Sequence, residues 1–137
     1  MAAKLSERVQ AFLREVRFAV LGTINPDGTP QLTTMWYLLE DNTLVMNTKV
    51  GRAKERNMRR DPRISVCVAD GYKYVTLSGR VEMIDDPKIA QHDIYRLSAR
   101  YHGEEKAQRQ MEEQFSKEKR VTLRLKPEHI IEHFEND

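Results

Sequence analysis

The chain has 137 residues, of which 39% are hydrophobic and 32% charged, and its formal net charge is +2. This balance excludes a disordered chain, and the length predicts one domain over residues 1–137. The one cysteine, Cys67, excludes an internal disulfide, and a charged beginning without an apolar run argues against a signal peptide or membrane span, so we expect a cytoplasmic protein.

The first part of the chain predicts one helix followed by strands that are joined at tight turns. Apolar residues between Leu5 and Val16 recur at helical spacing, and Ser6 is a suitable N-cap. Asn25 to Gly28, NPDG, is a tight turn because proline and glycine suit the backbone angles that such a turn requires. The strands predicted in this part lie at 18–25, 31–39 and 43–48.

The second part predicts three more strands and two longer helices after a basic segment. This segment, 49–60, reads as a loop and a short helix, which stops before Pro62 because the residue before proline disfavours helical angles. The further strands are predicted at 63–70, 72–84 and 120–126, and the helices at 87–101 and 104–117. Six strands joined mainly by tight turns predict a mainly β fold, a six-stranded antiparallel barrel with peripheral helices.

The basic segment TKVGRAKERNMRRDPR, Thr48 to Arg63, is open to three interpretations. It is a solvated helix face, a nucleic-acid patch or a cradle for the anionic group of a small molecule. An anion is favoured at the beginning of the predicted helix, where free N–H groups and a partial positive charge occur. A nucleic-acid role is disfavoured because the whole chain is weakly basic and no nucleic-acid motif accompanies the run. Arg59 and Arg60 are assigned to solvent or to Asp61.

Four short motifs then occur in a specific order between residues 18 and 83. They are LGTINPDGTPQ, TTMWY, RAKERNMRRDPR and LSGRVEM, and the later RVTLRLKPEHI is compatible with them. Together they resemble the split-barrel flavin-binding proteins of the pyridoxamine 5′-phosphate oxidase type, and among these the coenzyme F420-dependent, or deazaflavin-dependent, oxidoreductases. The resemblance implies a split β-barrel that forms a homodimer, with two cofactor sites between the subunits.

The resemblance also implies which residues bind the cofactor, which is coenzyme F420 or alternatively FMN. Arg52 and Lys54 match the pair that binds the cofactor phosphate, while the second strand borders the ring. Thr33 and Thr34 point to opposite faces of that strand, so at least one hydroxyl should face the groove. Tyr74 is expected from the partner subunit. The expected cofactor-binding residues are Gln31, Thr33, Thr34, Met35, Met46, Asn47, Thr48, Lys49, Arg52, Ala53, Lys54, Arg56, Asn57 and Tyr74.

The implied activity is hydride transfer from a reduced deazaflavin to an unsaturated or quinone-like small molecule. No G-x-S-x-G, Walker or G-x-G-x-x-G motif is present, so the cofactor is expected to carry the chemistry and no catalytic residue is predicted. The alternatives are an FMN-binding oxidoreductase of the same fold, a non-enzymatic carrier of flavin, deazaflavin or haem, and a nucleic-acid module. Pyridoxamine phosphate oxidation itself is disfavoured because the C-terminus, HFEND, lacks the substrate-binding extension of those enzymes.

The sequence HIIEH, His129 to His133, has the H-x-x-E-H spacing of one class of zinc proteases. No metal site is predicted, because no downstream segment offers a third ligand. The large aromatic residues Trp36 and Tyr37 are expected in the core or an interface. The C-terminus is instead expected to form a solvated turn that docks through Ile130, Ile131 and Phe134.

Overall fold

The computed structural model of the protein describes residues 2–135. Met1, Asn136 and Asp137, which are the ends of the predicted domain, lie outside the described residues. Within residues 2–135, no helix has the length and apolar character that crossing a membrane requires.

The described part of the chain contains strands, α-helices and one 3-10 turn. The strands are β1 (Ala19–Ile24), β2 (Pro30–Met35), β3 (Leu38–Glu40), β4 (Thr43–Lys49), β5 (Arg63–Asp70), β6 (Lys73–Ile84), β7 (Arg120–Leu125) and β8 (His129–His133). The helices are α1 (Glu7–Arg14), α2 (Ala53–Arg60), α3 (Pro87–His102) and α4 (Glu104–Glu113), and the 3-10 turn spans Phe115–Lys117.

The strands form one curled antiparallel sheet in the order β2-β1-β5-β6-β7-β4-β3, and β8 also pairs with β6. The two ends of this path, β2 and β3, are separated along the chain only by Trp36 and Tyr37. The sheet therefore curls back toward its own beginning, which gives a half-barrel around the main core. Fully buried core residues come from α1 and from both halves of the sheet, among them Leu13, Leu21, Leu44, Leu77 and Leu123.

Strand β6 belongs to both halves of the half-barrel, which are β2-β1-β5-β6-β8 and β6-β7-β4-β3. It is 12 residues long, and residues 74–78 pair with β8 whereas residues 81–84 pair with β7. Gly79 lies between these parts, where a Cβ would stand 3.2 Å from the Leu125 Cδ1 atom and 3.3 Å from the Glu128 nitrogen. Because glycine has no side chain, the segment that follows β7 can approach β6 closely at this point.

The predicted count of six strands is wrong, since residues 31–39 form two strands and the C-terminus adds β8. Between β2 and β3, the Tyr37 backbone N–H donates to the Tyr101 hydroxyl at 3.1 Å, and the Tyr37 carbonyl accepts from Arg100 at 2.7 Å. Side chains of α3 thus satisfy the backbone groups that a continuous strand would use for pairing. Tyr37 is fully buried, in agreement with the core position expected for it.

The predicted C-terminal turn is also wrong, because this segment is strand β8. Ile130 and Phe134 pack against the core as expected, whereas Ile131 is 58% exposed. Successive side chains of a strand point to opposite faces, so neighbouring isoleucines cannot both reach the core.

Helix α1 begins as predicted, since the Ser6 hydroxyl accepts a hydrogen bond from the Val9 N–H at 3.2 Å. Val9 and Leu13 are fully buried, but α1 ends at Arg14 and leaves Val16 57% exposed. On the other side of the half-barrel, α3 packs against β4 and β7. With the 3-10 turn it forms a second apolar cluster, so this side of the sheet is covered by helices.

Candidate functional site

A groove of about 230 Å³ lies where the end of β2, the end of β4 and the beginning of α2 meet the helical side of the half-barrel. It combines residues that are far apart in the sequence, because β4 pairs with β7 and α3 packs over both. The expected cofactor-binding residues that line this groove are Thr34, Met35, Asn47, Thr48, Lys49, Arg52 and Lys54.

Helix α2 begins at this groove with backbone donors that are free to bind a ligand. Gly51 has φ 102°, a conformation that glycine adopts readily, and the N-cap residue Arg52 makes no side-chain cap. The N–H groups of a first helical turn lack partners within the helix, so those of Ala53 and Lys54 are available to an anion. The Glu55 carboxylate does not cover them, because it accepts from the Gly51 N–H at 2.8 Å.

Two expected cofactor contacts, Gln31 and Asn57, instead join α2 to the first hairpin. The buried Asn57 amide donates to the Thr23 hydroxyl at 3.1 Å and to the Asn25 side-chain oxygen at 3.0 Å. The same Thr23 hydroxyl donates to Gln31 at 2.8 Å. These contacts fix the position of α2 relative to β1, and with it the position of the helix N-terminus.

The arginines at the end of α2 are used within the fold. Arg59 forms an ion pair with Asp85 at 2.6 Å, and the hydrogen bonds that its guanidinium donates to this carboxylate raise the pKa of Arg59. Arg60 donates to a backbone carbonyl of β1. The ion-pair partner of Asp61 is Arg63, at 2.7 Å, rather than Arg59 or Arg60.

The groove is strongly cationic. Lys49, Arg52, Lys54 and Arg120 all line it, and no acidic side chain of the described chain is among its lining residues. Burial, followed by the charges of Arg52 and Arg120, lowers the pKa of Lys54. All three cations line the same groove, so their positive charges add there. The arrangement is suited to binding a phosphate or a similar anion.

On the inner side of the groove, the guanidinium of Arg120 is held by two neighbours. Its Nε donates to the Asn47 Oδ1 atom at 2.7 Å, and its Nη1 donates to Glu118 at 2.6 Å. The Asn47 amide also donates to the Ala90 carbonyl at 2.9 Å, which joins β4 to α3. The charged lining is thus attached to the helical side of the molecule.

The remaining expected residues lie outside the groove lining. Met46 is fully buried in the core, and the Arg56 guanidinium donates to the Gly51 carbonyl. Tyr74 lies in the other half of the sheet, where its ring stacks on His133 with 5.2 Å between ring centroids. The other expected residues that do not line the groove are Thr33 and Ala53.

Several lining residues were not predicted from the sequence as part of a site. The Trp36 ring stacks on Tyr101 with centroids 5.5 Å apart, while α3 and the 3-10 turn supply apolar side chains. The sequence did not identify Arg120, because apolar and polar residues alternate in RVTLRLK and the polar positions of such a strand usually face solvent. Its pairing opposite Lys49 is the feature that brings it to the groove. The lining residues missed by the sequence analysis are Trp36, Ile94, Leu97, Gln114, Phe115 and Arg120.

The outer face of the β2-β1-β5-β6-β8 half carries exposed apolar side chains. Leu32 is 69% exposed and Val20 40% exposed, and Ile131 lies on the same face. A second groove of about 530 Å³ crosses this face over small residues, which include Gly22 and Gly79. A monomer rarely leaves an apolar face of this kind in water, so the face is suited to covering by another protein surface.

The two histidines of HIIEH are separated by the strand conformation. Four residues of an extended strand span about 13 Å, which is too far for His129 and His133 to share one ion. Among residues 2–135, no group of three or more His, Cys, Asp or Glu side chains is placed to hold a metal ion.

Comparison with known proteins gives one family and several related structures. Residues 5–134 match the family model described as pyridoxamine 5′-phosphate oxidase. A conserved hypothetical protein from Mycobacterium tuberculosis is 28% identical, with a TM-score of 0.79 over 96% of this chain and 85% of that one. A protein named F420 reductase is 26% identical, with a TM-score of 0.74 over 93% and 98% of the two chains. General Stress Protein 26 from Bacillus anthracis, at 17% identity and a TM-score of 0.69 over 92% and 91%, shares the fold.

Proposed function

The chain belongs to the pyridoxamine 5′-phosphate oxidase family of flavin-type oxidoreductases, and from this premise we propose that it is a coenzyme F420-dependent reductase. The proposed reaction transfers a hydride to an unsaturated or quinone-like small molecule. The observation that carries the proposal is the cationic groove at the beginning of α2. We assign the whole site to one domain, residues 1–137, together with its copy in a second subunit.

The groove fits the phosphate of a flavin-type cofactor. Arg52 offers a planar fork, Lys54 offers an ammonium group, and the uncapped helix N-terminus adds backbone N–H donors. Hydrogen bonds between charged donors and phosphate oxygens are among the strongest that proteins form. Since no acidic side chain of the described residues lines the groove, nothing in the lining opposes the negative charge.

The end of β2 is proposed to orient the ring. Thr34 and Met35 border the groove and supply a hydroxyl and an apolar surface, which suit the polar edge and the face of a heterocycle. When bound, the reduced deazaflavin supplies the hydride. The protein's part is to fix the cofactor through Arg52 and Lys54 and to limit the access of water from the side that α3 covers.

A second subunit is proposed to complete the site. The groove of about 230 Å³ is smaller than the roughly 300–1,000 Å³ of most ligand pockets, so one subunit encloses only part of a flavin-sized molecule. The exposed face around Leu32 and Val20 provides an apolar surface for a symmetric dimer. Tyr74 shares this outer face with Thr76, since the two lie two residues apart on β6. Tyr74 is therefore suited to reach the groove of the other subunit.

Deazaflavin is favoured over FMN by the 26% identity to the protein named F420 reductase, which extends over nearly the whole of both chains. The alternative is an FMN-binding oxidoreductase, because FMN also carries a phosphate group that suits the cationic groove. A carrier that holds the ring without turnover remains a third function for the same groove. The three candidate functions differ in which cofactor ring binds and in whether the bound ring transfers a hydride to an acceptor.

Titration of the protein with coenzyme F420 and, separately, with FMN tests the proposal, with the change in ring fluorescence as the measure of binding. We expect the deazaflavin to bind at least tenfold more tightly. Reduced coenzyme F420 should then be consumed in the presence of a panel of enones and quinones.

Tight binding of FMN with no binding of the deazaflavin would replace the proposed cofactor by its alternative. Binding of the deazaflavin without turnover of any acceptor would favour the carrier. Failure to bind either ring would refute the proposal as a whole.

A further inference from the structure

Lys49 and Arg120 are directly opposite each other on the paired strands β4 and β7. Like charges in this position destabilise a sheet, so the pairing needs compensation. Glu118 supplies it, because its carboxylate accepts from Arg120 Nη1 at 2.6 Å and lies 3.7 Å from the Lys49 ammonium. The Glu118 carboxylate, which lies just outside the groove lining, therefore forms ion pairs with two of the four cations that line the groove.

Arg120 is nearly buried but still has hydrogen-bond donors to offer. Its side chain is 10% exposed, its Nε binds Asn47 and its Nη1 binds Glu118. The Nη2 group has no hydrogen-bond acceptor among residues 2–135, although Arg120 lines the groove together with Arg52 and Lys54. A nearly buried guanidinium with an unused edge at a cationic groove is suited to a ligand anion, since it is already oriented before the ligand arrives.

We propose that Arg120 is a third anion-binding residue of this groove, and that Glu118 is an internal counter-anion that limits how tightly the groove holds a phosphate. The proposal rests on the proposed function only in that the ligand carries a phosphate. Arg120 contributes its Nη2 donors and its charge. Glu118 offsets part of the positive charge of Lys49 and Arg120. Its carboxylate also repels a phosphate bound in the groove, because both carry negative charge.

Inorganic phosphate, measured without any flavin present, is the probe. Phosphate binding is followed by NMR titration of the native protein and of the variants Arg120→Gln, Arg120→Lys and Glu118→Gln. We expect Arg120→Gln to weaken phosphate binding about tenfold or more, because a charge-assisted hydrogen bond is lost. Arg120→Lys keeps the charge but loses the planar fork of the guanidinium, so its phosphate affinity should lie between those of the native protein and Arg120→Gln. Glu118→Gln should tighten binding about three- to tenfold.

Arg109→Gln and Glu105→Gln are the matched controls. These residues form an exposed ion pair of 3.2 Å on α4, outside the groove, and their replacement should leave phosphate binding within twofold of native. Thermal unfolding gives a second reading. Phosphate should raise the Tm of Glu118→Gln by more than it raises the Tm of the native protein, because ligand stabilisation grows with affinity.

A purely structural role for Arg120 would lower the Tm of Arg120→Gln and leave its phosphate affinity within twofold of native, which would overturn the inference. The same follows if Glu118→Gln binds phosphate no more tightly than the native protein, or if the native protein binds no phosphate. If Arg120→Gln does not fold, the comparison of Arg120→Lys with native decides in the same way. Phosphate binding that depends on Arg120 in a protein that binds neither ring would support this inference and refute the proposed function.

Discussion

The Asn57 side chain donates a hydrogen bond to the Thr23 hydroxyl at 3.1 Å, and this buried contact ties α2 to strand β1. The first turn of α2, with Arg52 and Lys54, is thereby held at a defined place beside the sheet. A rigid support of this kind favours binding, because less freedom is lost when the ligand arrives.

Replacement of both Arg52 and Lys54 by alanine should weaken binding of the cofactor about 100-fold or more. Each residue contributes a charge-assisted hydrogen bond of about 1.5–3 kcal/mol, and each 1.4 kcal/mol is about tenfold in affinity. The measurement is ring-fluorescence titration. Lys106→Ala with Arg109→Ala is the control, because it removes two positive charges from α4 outside the groove. Equal affinities for the two double variants would exclude Arg52 and Lys54 as the phosphate-binding pair.

Leu32→Glu should convert the proposed dimer to a monomer. Leu32 is 69% exposed on the outer sheet face, and burial of a carboxylate in the proposed apolar interface would be unfavourable. Sedimentation velocity at micromolar concentration is the measurement, and cofactor affinity should fall in parallel because the groove loses its second wall. Ile89→Glu, at a 36% exposed position on α3, is the control. A native protein that is monomeric and binds its cofactor fully would contradict the proposed shared site.

Gly79→Ala should destabilise the protein by about 1–3 kcal/mol, as expected for overpacking. The new Cβ would stand 3.2 Å from the Leu125 side chain and 3.3 Å from the Glu128 backbone nitrogen, which cannot move without disturbing β8. Urea denaturation measures the loss. Gly22→Ala meets its neighbours only at 3.4 and 3.6 Å, so it should change the free energy of unfolding by less than about 1 kcal/mol. A loss from Gly22→Ala as large as that from Gly79→Ala would argue against this explanation.

Asp61 should contribute to stability only above acidic pH. The hydrogen bond from the Arg63 side chain lowers the pKa of Asp61 from 3.8 to about 2. A lowered pKa in the folded state stabilises the fold above the unfolded value, and this contribution is lost as the pH falls through the folded value. Asp61→Asn should therefore be less stable than native at pH 7, and most of this difference should be lost at pH 2, where about half of the folded carboxyl groups are protonated. Denaturant titrations at both pH values measure the difference, with the exposed Glu112→Gln as a control that should show none. A difference as large at pH 2 as at pH 7 would refute the assignment.

Local patterns were sufficient to predict most strands and the basic helix. The alternation along β6 and the NPDG turn are properties of neighbouring residues, and α2 ends before Pro62 as expected. The pair Arg52 and Lys54 was expected from the family resemblance, and its role in binding the cofactor phosphate stays a prediction. The position of both residues at the beginning of α2 is what brings them to the groove.

The features that were missed depend on contacts between distant residues. The break at Tyr37 is made by Tyr101, which is 64 residues away, and β8 exists only because β6 is there to pair with it. Arg120 is 73 residues from Asn47, and no spacing in the sequence indicates that they meet. Single-sequence patterns report periodicity along one element, but they do not report which elements become neighbours.

The sharing of β6 between the two halves of the half-barrel has a consequence for how the protein opens. Neither half can separate from the other without loss of β6 hydrogen bonds to β5 and β8 on one side or to β7 on the other. The halves therefore form one cooperative folding unit, and the amide protons in the middle of β6 should exchange with solvent only when the whole molecule unfolds.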